Sequence, residues 1–538
     1  MTDHNFTTLD WAIVGAYLLF VLVLGAAFAR RQRTSDQYFL AGRSVPLLVA
    51  SVSILATSLS AVTFIGAPED AFRGDLTYLS LNIGAILGAI VVALLFIPAF
   101  YKRRVTTVYE LLGNEYGPAA RKCASAMYMV GRLLASGARL FIAAIPVSLI
   151  VFGDLDPRNL QLAIVIVALV AAVYTVAGGM RAVVWTDLAQ VIILVGAALL
   201  ACALLFDRIP LGVGDIVSTL RAADTPAGTD KLTLINLSAD PTLPYTLWVA
   251  IFGFTLFNMA AYGADQDLVQ RMLACKSAAK ASWSVVLSNL VGVGVVFIFM
   301  TLGLLLYIYY ARPDVMGAAA PDAAIDDTRQ VFLSFILHEM PPGLRGLMIA
   351  GLFAAAMSSL DSALNAMSTT AVCDFYKPLR PGRSDRHYLR AARIGVALWG
   401  VALAAVACVL ADLQSRGDAG LLQFALAVMV YAYAGMLGVF LTALCTNRGN
   451  SATVAAALAA GFLTVLILHH APALIADDTT LAHKLWPLPD PPPTLSMGWR
   501  MLIGTLIATI TCCAGKRPKK PTPTTPPSPS SSSSPYKT

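Results

Sequence analysis

The sequence predicts an all-α polytopic membrane protein of about thirteen transmembrane helices, and three observations carry that expectation. Of 538 residues, 57% are hydrophobic and 13% charged, with a mean hydropathy of +0.71, which leaves too little polar surface for a soluble protein of this size. The apolar residues gather into runs of roughly 20, the length of helix that crosses a bilayer. The basic residues crowd into alternate connections, the asymmetry that orients membrane proteins.

The predicted spans are 11–29, 46–68, 76–100, 120–151, 159–178, 182–206, 244–263, 281–311, 344–371, 390–411, 418–446, 451–473 and 497–514. The first follows MTDHNFTTLDW, which lacks the basic segment of a cleavable leader, so it reads as a retained helix. The second, PLLVASVSILATSLSAVTFIGAP, spreads Ser51, Ser53, Thr57, Ser58, Ser60 and Thr63 through its middle. Such hydroxyl density predicts an interrupted helix whose freed carbonyls line a cavity, because irregular backbone survives at that depth only where protein or water satisfies it. The span 120–151 carries Arg132 and Arg139, and Gly178-Gly179 reads as a tight turn between the fifth and sixth spans. The seventh ends in FNMAAYGADQD, so Asn258, Tyr262, Gly263, Asp265, Gln266 and Asp267 again resist an unbroken apolar helix. The ninth holds AGLFAAAMSSLDSALNAMSTTAVCDF, with Asp361, Ser362 and Asn365 at bilayer depth, where carboxylates and hydroxyls mark ion or solute handling. Counted from the second span, the two broken helices stand at positions one and six of a ten-helix series, the pattern of two five-helix halves of inverted topology.

With the N-terminus outside, 25 of the 38 Lys/Arg fall on the cytoplasmic face, 11 outside and two, Arg132 and Arg139, within a span. The net charge of +7 is therefore a topology signal and not a nucleic-acid signal. The eight cysteines show no CxxC or metal spacing and read as apolar packers. After Cys513, KRPKK followed by PTPTTPPSPSSSSSPYKT predicts a disordered tail. No GxSxG, HExxH or Walker glycine loop is present, and His469-His470 point to different helix faces, so an enzyme is not expected.

Five motifs in order, YFLAGRSVP leading into SILATSLSAVTFIG, YTVAGGMRAVVWTDLAQ, DQDLVQRMLACKSAAKA and GLRGLMIAGLFAAAMSSLDSALNAMSTTAVCDFYKP, resemble the sodium/solute symporter family over about residues 10–446. The resemblance is to the branch of sugar, sialic acid and monocarboxylate carriers. It implies a LeuT-type core of two inverted five-helix repeats, a sodium-coupled symport by alternating access, and a small polar organic solute bearing a carboxylate. A neutral sugar or polyol symporter, or a solute sensor of the same fold, is the alternative. The implied organisation is an extra helix and basic loop over 1–43, a first repeat over 44–206, an extracellular loop over 207–243, a second repeat over 244–446, extra helices over 447–515 and the tail 516–538. The implied protein is a cell-membrane monomer with its N-terminus outside and C-terminus cytoplasmic, its partners being solute, Na⁺ and lipid.

Carried over by motif, one Na⁺ is held by the carbonyls of Ala56, Leu59 and Ala355 and the hydroxyls of Ser358 and Ser359. An oxygen set of this kind suits a hard cation, although small residues at such spacing also serve close helix packing. A second Na⁺ site is implied at Asp187 with Ser358 and Ser362, to which Asp361 adds a carboxylate; the alternative for Asp187 is a pair with Arg181. The implied solute contacts are Ser58, Ser60, Thr63, Asn82, Tyr262, Asp265 and, on a later span, Gln423. Thr63 and Asn82 are shorter than the Gln and Glu of galactose-type relatives. An arginine on the 120–151 span holds the substrate carboxylate in sialic acid carriers; Arg139 is the nearest match by spacing, and Arg132, about two turns earlier, competes. Asp267 stands where relatives are usually uncharged, and a partnership with either arginine is its expected role.

Overall fold

The computed structural model describes residues 6–29, 34–225, 228–321, 325, 327–414, 421–476 and 494–518. The predicted tail beyond Pro518 lies outside the described residues. In chain order the main helices are α1 (Thr8–Ala29), α2 (Leu47–Ser58), α3 (Ala61–Arg73), α4 (Thr77–Arg103), α5 (Pro118–Val151), α6 (Pro157–Arg208), α7 (Val249–Gly263), α8 (Gln266–Leu273), α9 (Ala278–Ala311), α10 (Leu344–Leu379), α11 (Asp385–Gln414), α12 (Leu421–Cys445), α13 (Ser451–Ala476) and α14 (Met497–Cys513). Among the described residues, extended pairing is limited to isolated bridges.

Among the described residues, nine helices are long and apolar enough to cross a membrane, the α2–α3 pair makes a tenth, and three shorter apolar helices (Pro157–Val173, Val249–Gly263, Met497–Cys513) accompany them. They coincide with the thirteen predicted spans. Within α6 the backbone breaks at Gly179, where φ +54 and ψ −176 open the turn between the fifth and sixth spans. Two of the boundary shifts bear on the site. The second span runs on to Arg73 as α3, which places Glu69 and Asp70 on a helix. The seventh continues past its break as α8, so Arg271, counted from the sequence among the loop cations, lies 1% exposed inside the protein.

Helix α10 is the axis of the bundle. Almost every residue from Met348 to Thr370 is buried, and its neighbours include α1, α5, α6 and α11. Lipid supplies no hydrophobic drive between helices, so close packing of small residues has to hold such a bundle. At Gly84 a Cβ would stand 2.0 Å from the Ala250 carbonyl oxygen, and at Gly88 it would stand 2.8 Å from that of Thr255. Glycine at these two positions lets α4 and α7 touch backbone to backbone and fixes one wall of the central cavity.

At the end of α3, Lys231 from the 207–243 connection donates to the carbonyls of Phe72 (2.5 Å) and Ala71 (3.4 Å). A cation there complements the negative helix end. Burial pushes the Lys231 pKa down to about 8, with Asp75 and Asp70 opposing the shift.

Candidate functional site

Two broken helices meet at the centre. Leu59, with φ −75 and ψ 132, ends α2, and α3 sets off at 61° to it. The Ser60 hydroxyl caps α3 by accepting the Val62 N–H at 3.2 Å. The break between α7 and α8 falls at Ala264–Asp265, and the Asp265 carboxylate caps α8 by accepting the Asp267 N–H at 2.9 Å. The two ruptures are joined by Ser58 Oγ and Tyr262 Oη, 3.1 Å apart.

Beside the first break, α10 supplies oxygens. The Ser358 hydroxyl donates to the carbonyls of Ala56 (2.9 Å) and Ala355 (3.2 Å), and the Ser359 hydroxyl to those of Ala356 (3.0 Å) and Ala355 (3.4 Å). All of these residues are buried. Ala56, Ala355, Ser358 and Ser359 are thus brought together, with Leu59 at the adjoining end of α2, its N–H on the Leu55 carbonyl at 2.8 Å. A neutral cage of carbonyl and hydroxyl oxygens is a donor set that fits Na⁺, which here is cargo and not a resident cofactor.

A buried charge network lies on the α8 side of these serines. Arg271 donates to Asp187 (3.1 Å), to Ser53 (2.9 Å), to the Asp267 carboxylate (3.3 Å) and, through a short contact, to Ser362. Ser53 in turn donates to Asp187 at 2.5 Å, and Ser362 Oγ lies 3.1 Å from Asp361 Oδ1. Asp187 therefore pairs with Arg271 and not with Arg181, which is exposed. Arg132 holds Asp265 at 3.0 Å and Asp267 in a short contact, and Tyr433 donates to Asp265 at 2.6 Å. Asp267, expected to partner Arg132 or Arg139, pairs with Arg132 and also with Arg271. The network gathers Asp187, Asp265, Asp267 and, through Ser362, Asp361 against two guanidinium groups. The second oxygen of Asp187 has no hydrogen-bond partner although it is buried. An orphaned carboxylate oxygen in an acid-rich site fits a further cation.

The central cavity, about 140 Å³, opens between the broken helices. Ser58, Thr63, Asn82, Arg139 and Tyr262 line it, together with Asn258 and Asn289. Three predicted solute contacts stand elsewhere. Ser60 is spent on capping α3, Asp265 is held by Arg132 and Tyr433, and Gln423 lines a separate cavity near the start of α12. Arg132 and Arg139 separate cleanly. Arg132 is neutralised by two carboxylates, whereas Arg139 reaches the cavity and, among the described residues, finds one hydrogen-bond partner, the Met429 sulfur at 3.7 Å.

Sequence reasoning missed Arg271 and Tyr433. The polar stretch that contains Arg271 reads as a loop by hydropathy; the signal was its position two turns beyond a helix break, where a charge has to be inside. Tyr433 sits in an apolar run with nothing to distinguish it from packing.

A buried cavity between two interrupted helices, beside an oxygen-rich helix face, is the arrangement of an ion-coupled secondary transporter. The chain belongs to the sodium:solute symporter family, whose sequence model matches residues 38–462. It is 30% identical over 478 residues to the sodium/sialic acid symporter SiaT of Proteus mirabilis (strain HI4320), covering 87% of this chain and 90% of that protein. It is 28% identical over 456 residues to the sodium/iodide cotransporter of Homo sapiens, covering 83% and 68%. Against sodium-coupled monocarboxylate transporter 1 of Homo sapiens the identity is 27% over 462 residues, covering 85% and 72%. Among solved structures, the substrate-bound outward-open state of a Na⁺-coupled sialic acid symporter is similar with a TM-score of 0.76 at 26% identity, covering 95% of this chain and 97% of that one. A nucleobase-cation-symport-1 family transporter shares the fold, with a TM-score of 0.56 at 14% identity, covering 89% and 93%. The protein is a multi-pass, sodium-coupled solute symporter with the inverted-repeat fold of LeuT-type transporters, and its partners are Na⁺ and a solute.

Proposed function

We propose that the transported solute is a small organic carboxylate, captured by Arg139 and carried inward with one or two Na⁺. The observation that carries this reading is the Arg139 guanidinium: it lines the central cavity, and no carboxylate lies within 4 Å of it among the described residues. An unneutralised arginine at that depth is costly unless a ligand completes it, and a planar guanidinium takes a carboxylate through two parallel hydrogen bonds. Ser58, Thr63, Asn82 and Tyr262 would then hold the polar remainder. A cavity of about 140 Å³ is close to the ~150 Å³ that encloses a benzene ring. That size favours a monocarboxylate in the form seen here; a sialic acid or sugar acid needs the cavity wall to open.

In this reading the basic face is cytoplasmic and the N-terminus outside, by the charge asymmetry. The repeats are 44–206 and 244–446, flanked by the segments 1–43, 207–243, 447–515 and 516–538. The first Na⁺ sits among Ala56, Leu59, Ala355, Ser358 and Ser359, where it stabilises the outward-open form. The orphaned oxygen of Asp187, beside Ser362 and Asp361, supports a second. One Na⁺ crossing 100 mV gains roughly 2.3 kcal/mol, and a tenfold gradient adds about 1.4 kcal/mol. An anionic solute cancels the electrical part of the first ion, so a carboxylate carrier profits from the second.

The test is the thermal stability of the purified protein in Na⁺ against equimolar K⁺, with carboxylates and their neutral amides or alcohols. A Na⁺-specific rise enlarged by carboxylates alone is expected, because a ligand bound only to the folded form stabilises by mass action. Enlargement by neutral sugars or polyols would replace the substrate class, and binding without uptake into liposomes would replace the transport reading with a sensor.

Two variants test the ions. Ser359→Ala removes one ligand oxygen and should raise the Na⁺ concentration for half-maximal uptake about tenfold, the cost of one hydrogen-bonding group facing a charge. Asp187→Asn should lower the Hill coefficient for Na⁺ towards one; an unchanged coefficient above one would move the second ion elsewhere.

A further inference from the structure

We infer that the separate cavity between α11, α12, α13 and the start of α14 is a second anion site, which takes small organic carboxylates with an apolar body. It measures about 570 Å³, against about 140 Å³ for the central cavity. Its polar wall is built by Arg500, His469, His470, Ser496, Gln423 and Tyr431. Arg500 is 7% exposed; among the described residues its guanidinium meets His469 Nδ1 in a short contact, and its Nε has no partner. Ser496, 6% exposed, is the residue before α14, yet its hydroxyl neither caps the helix nor finds another partner. Among the described residues no carboxylate lines this cavity or pairs with Arg500.

These features converge on one ligand chemistry. An unneutralised guanidinium, an idle hydroxyl and the N-terminal end of a 17-residue helix all present positive charge or donors to the same space. A buried charge without a counter-charge, as Arg500 is among the described residues, is expensive, so the arrangement is completed by an anion. The opposite wall, with Leu410, Leu413 and Phe424, is apolar, which selects a carboxylate on an organic body over a hydrated inorganic ion. Leu426 lines both cavities. Tyr245 belongs to this cavity, its ring meets Tyr78 of the central cavity at 5.3 Å, and its hydroxyl donates to Asp70 of α3 at 3.2 Å. The two cavities therefore share a wall at Leu426. The inference goes beyond the transport reading and holds whichever solute is carried.

The experiment uses the full chain in lipid-free detergent and in K⁺, with 4-bromobenzoate as probe and neutral 4-bromobenzamide as control, read by thermal shift. Saturable stabilisation by the acid and not the amide is expected in the wild type and equally in Arg139→Ala, with half-saturation raised at least about tenfold in Arg500→Gln. Ser496→Ala, a milder change, should raise it several-fold and decides the matter should Arg500→Gln fail to fold. Equal half-saturation in the wild type and both α14-end variants would overturn the site. Loss in Arg139→Ala instead would place the probe in the central cavity and overturn it as well. Abolition of the shift in nanodiscs of phosphatidylglycerol but not of phosphatidylcholine would give the site to a lipid headgroup and overturn the soluble ligand.

Discussion

Arg139→Ala is expected to abolish the Na⁺-dependent part of carboxylate stabilisation while leaving the ligand-free protein as stable as the wild type. The two halves of that expectation have separate causes. Truncating one member of a desolvated, charge-assisted pair costs about 2–5 kcal/mol, so carboxylate affinity should fall at least about thirtyfold. The fold should not suffer, because among the described residues Arg139 bonds the Met429 sulfur alone and leaves no carboxylate stranded when removed. Arg139→Lys should fall between: it keeps the charge and loses the two-pronged geometry. Binding curves for a carboxylate and its amide across the three proteins decide it. Na⁺-dependent carboxylate affinity within threefold of wild type in Arg139→Ala would remove the arginine from the site.

Arg132→Ala should behave in the opposite way, destabilising the protein by about 3–5 kcal/mol with or without solute. Its guanidinium holds Asp265 and Asp267, both fully buried, and its loss leaves two carboxylates with a single cation, Arg271, between them and Asp187. Most of the cost is the stranded charge and not the lost attraction. Arg132→Met combined with Asp267→Asn should therefore regain part of the loss, a non-additivity that a double-mutant cycle measures. A single Arg132→Ala protein that melts with the wild type would show that the network is relieved in some other way.

The contrast between these arginines shows where sequence reading stops. They lie seven residues apart on α5, close to two whole turns, so they project from nearly the same side of the helix and differ mainly in depth. Nothing in GRLLASGARLFIAA says which depth meets carboxylates. The answer comes from α8, whose capping residue Asp265 and first-turn Asp267 lie at the level of Arg132 and not of Arg139. Arg271 was hidden for a related reason. Hydropathy assigns a short polar segment to a loop, and only the packing of α8 against α2 and α10 buries it. The resemblance implies Ser60 and Gln423 as solute contacts; in the structure one is used by the backbone at the break and the other faces a different cavity.

The sequence by itself determined the class of protein, the succession of apolar helices, the interruption of two of them and the oxygen-rich face of α10. Each of these follows from local composition: bilayer length sets the runs, and hydroxyls or glycines at depth set the breaks. Tertiary structure alone decided which charges are neutralised and which face a cavity. Pairing depends on the relative depth of residues on helices far apart in the chain, such as Arg132 with Asp267 or Asp187 with Arg271, and no local pattern encodes that depth.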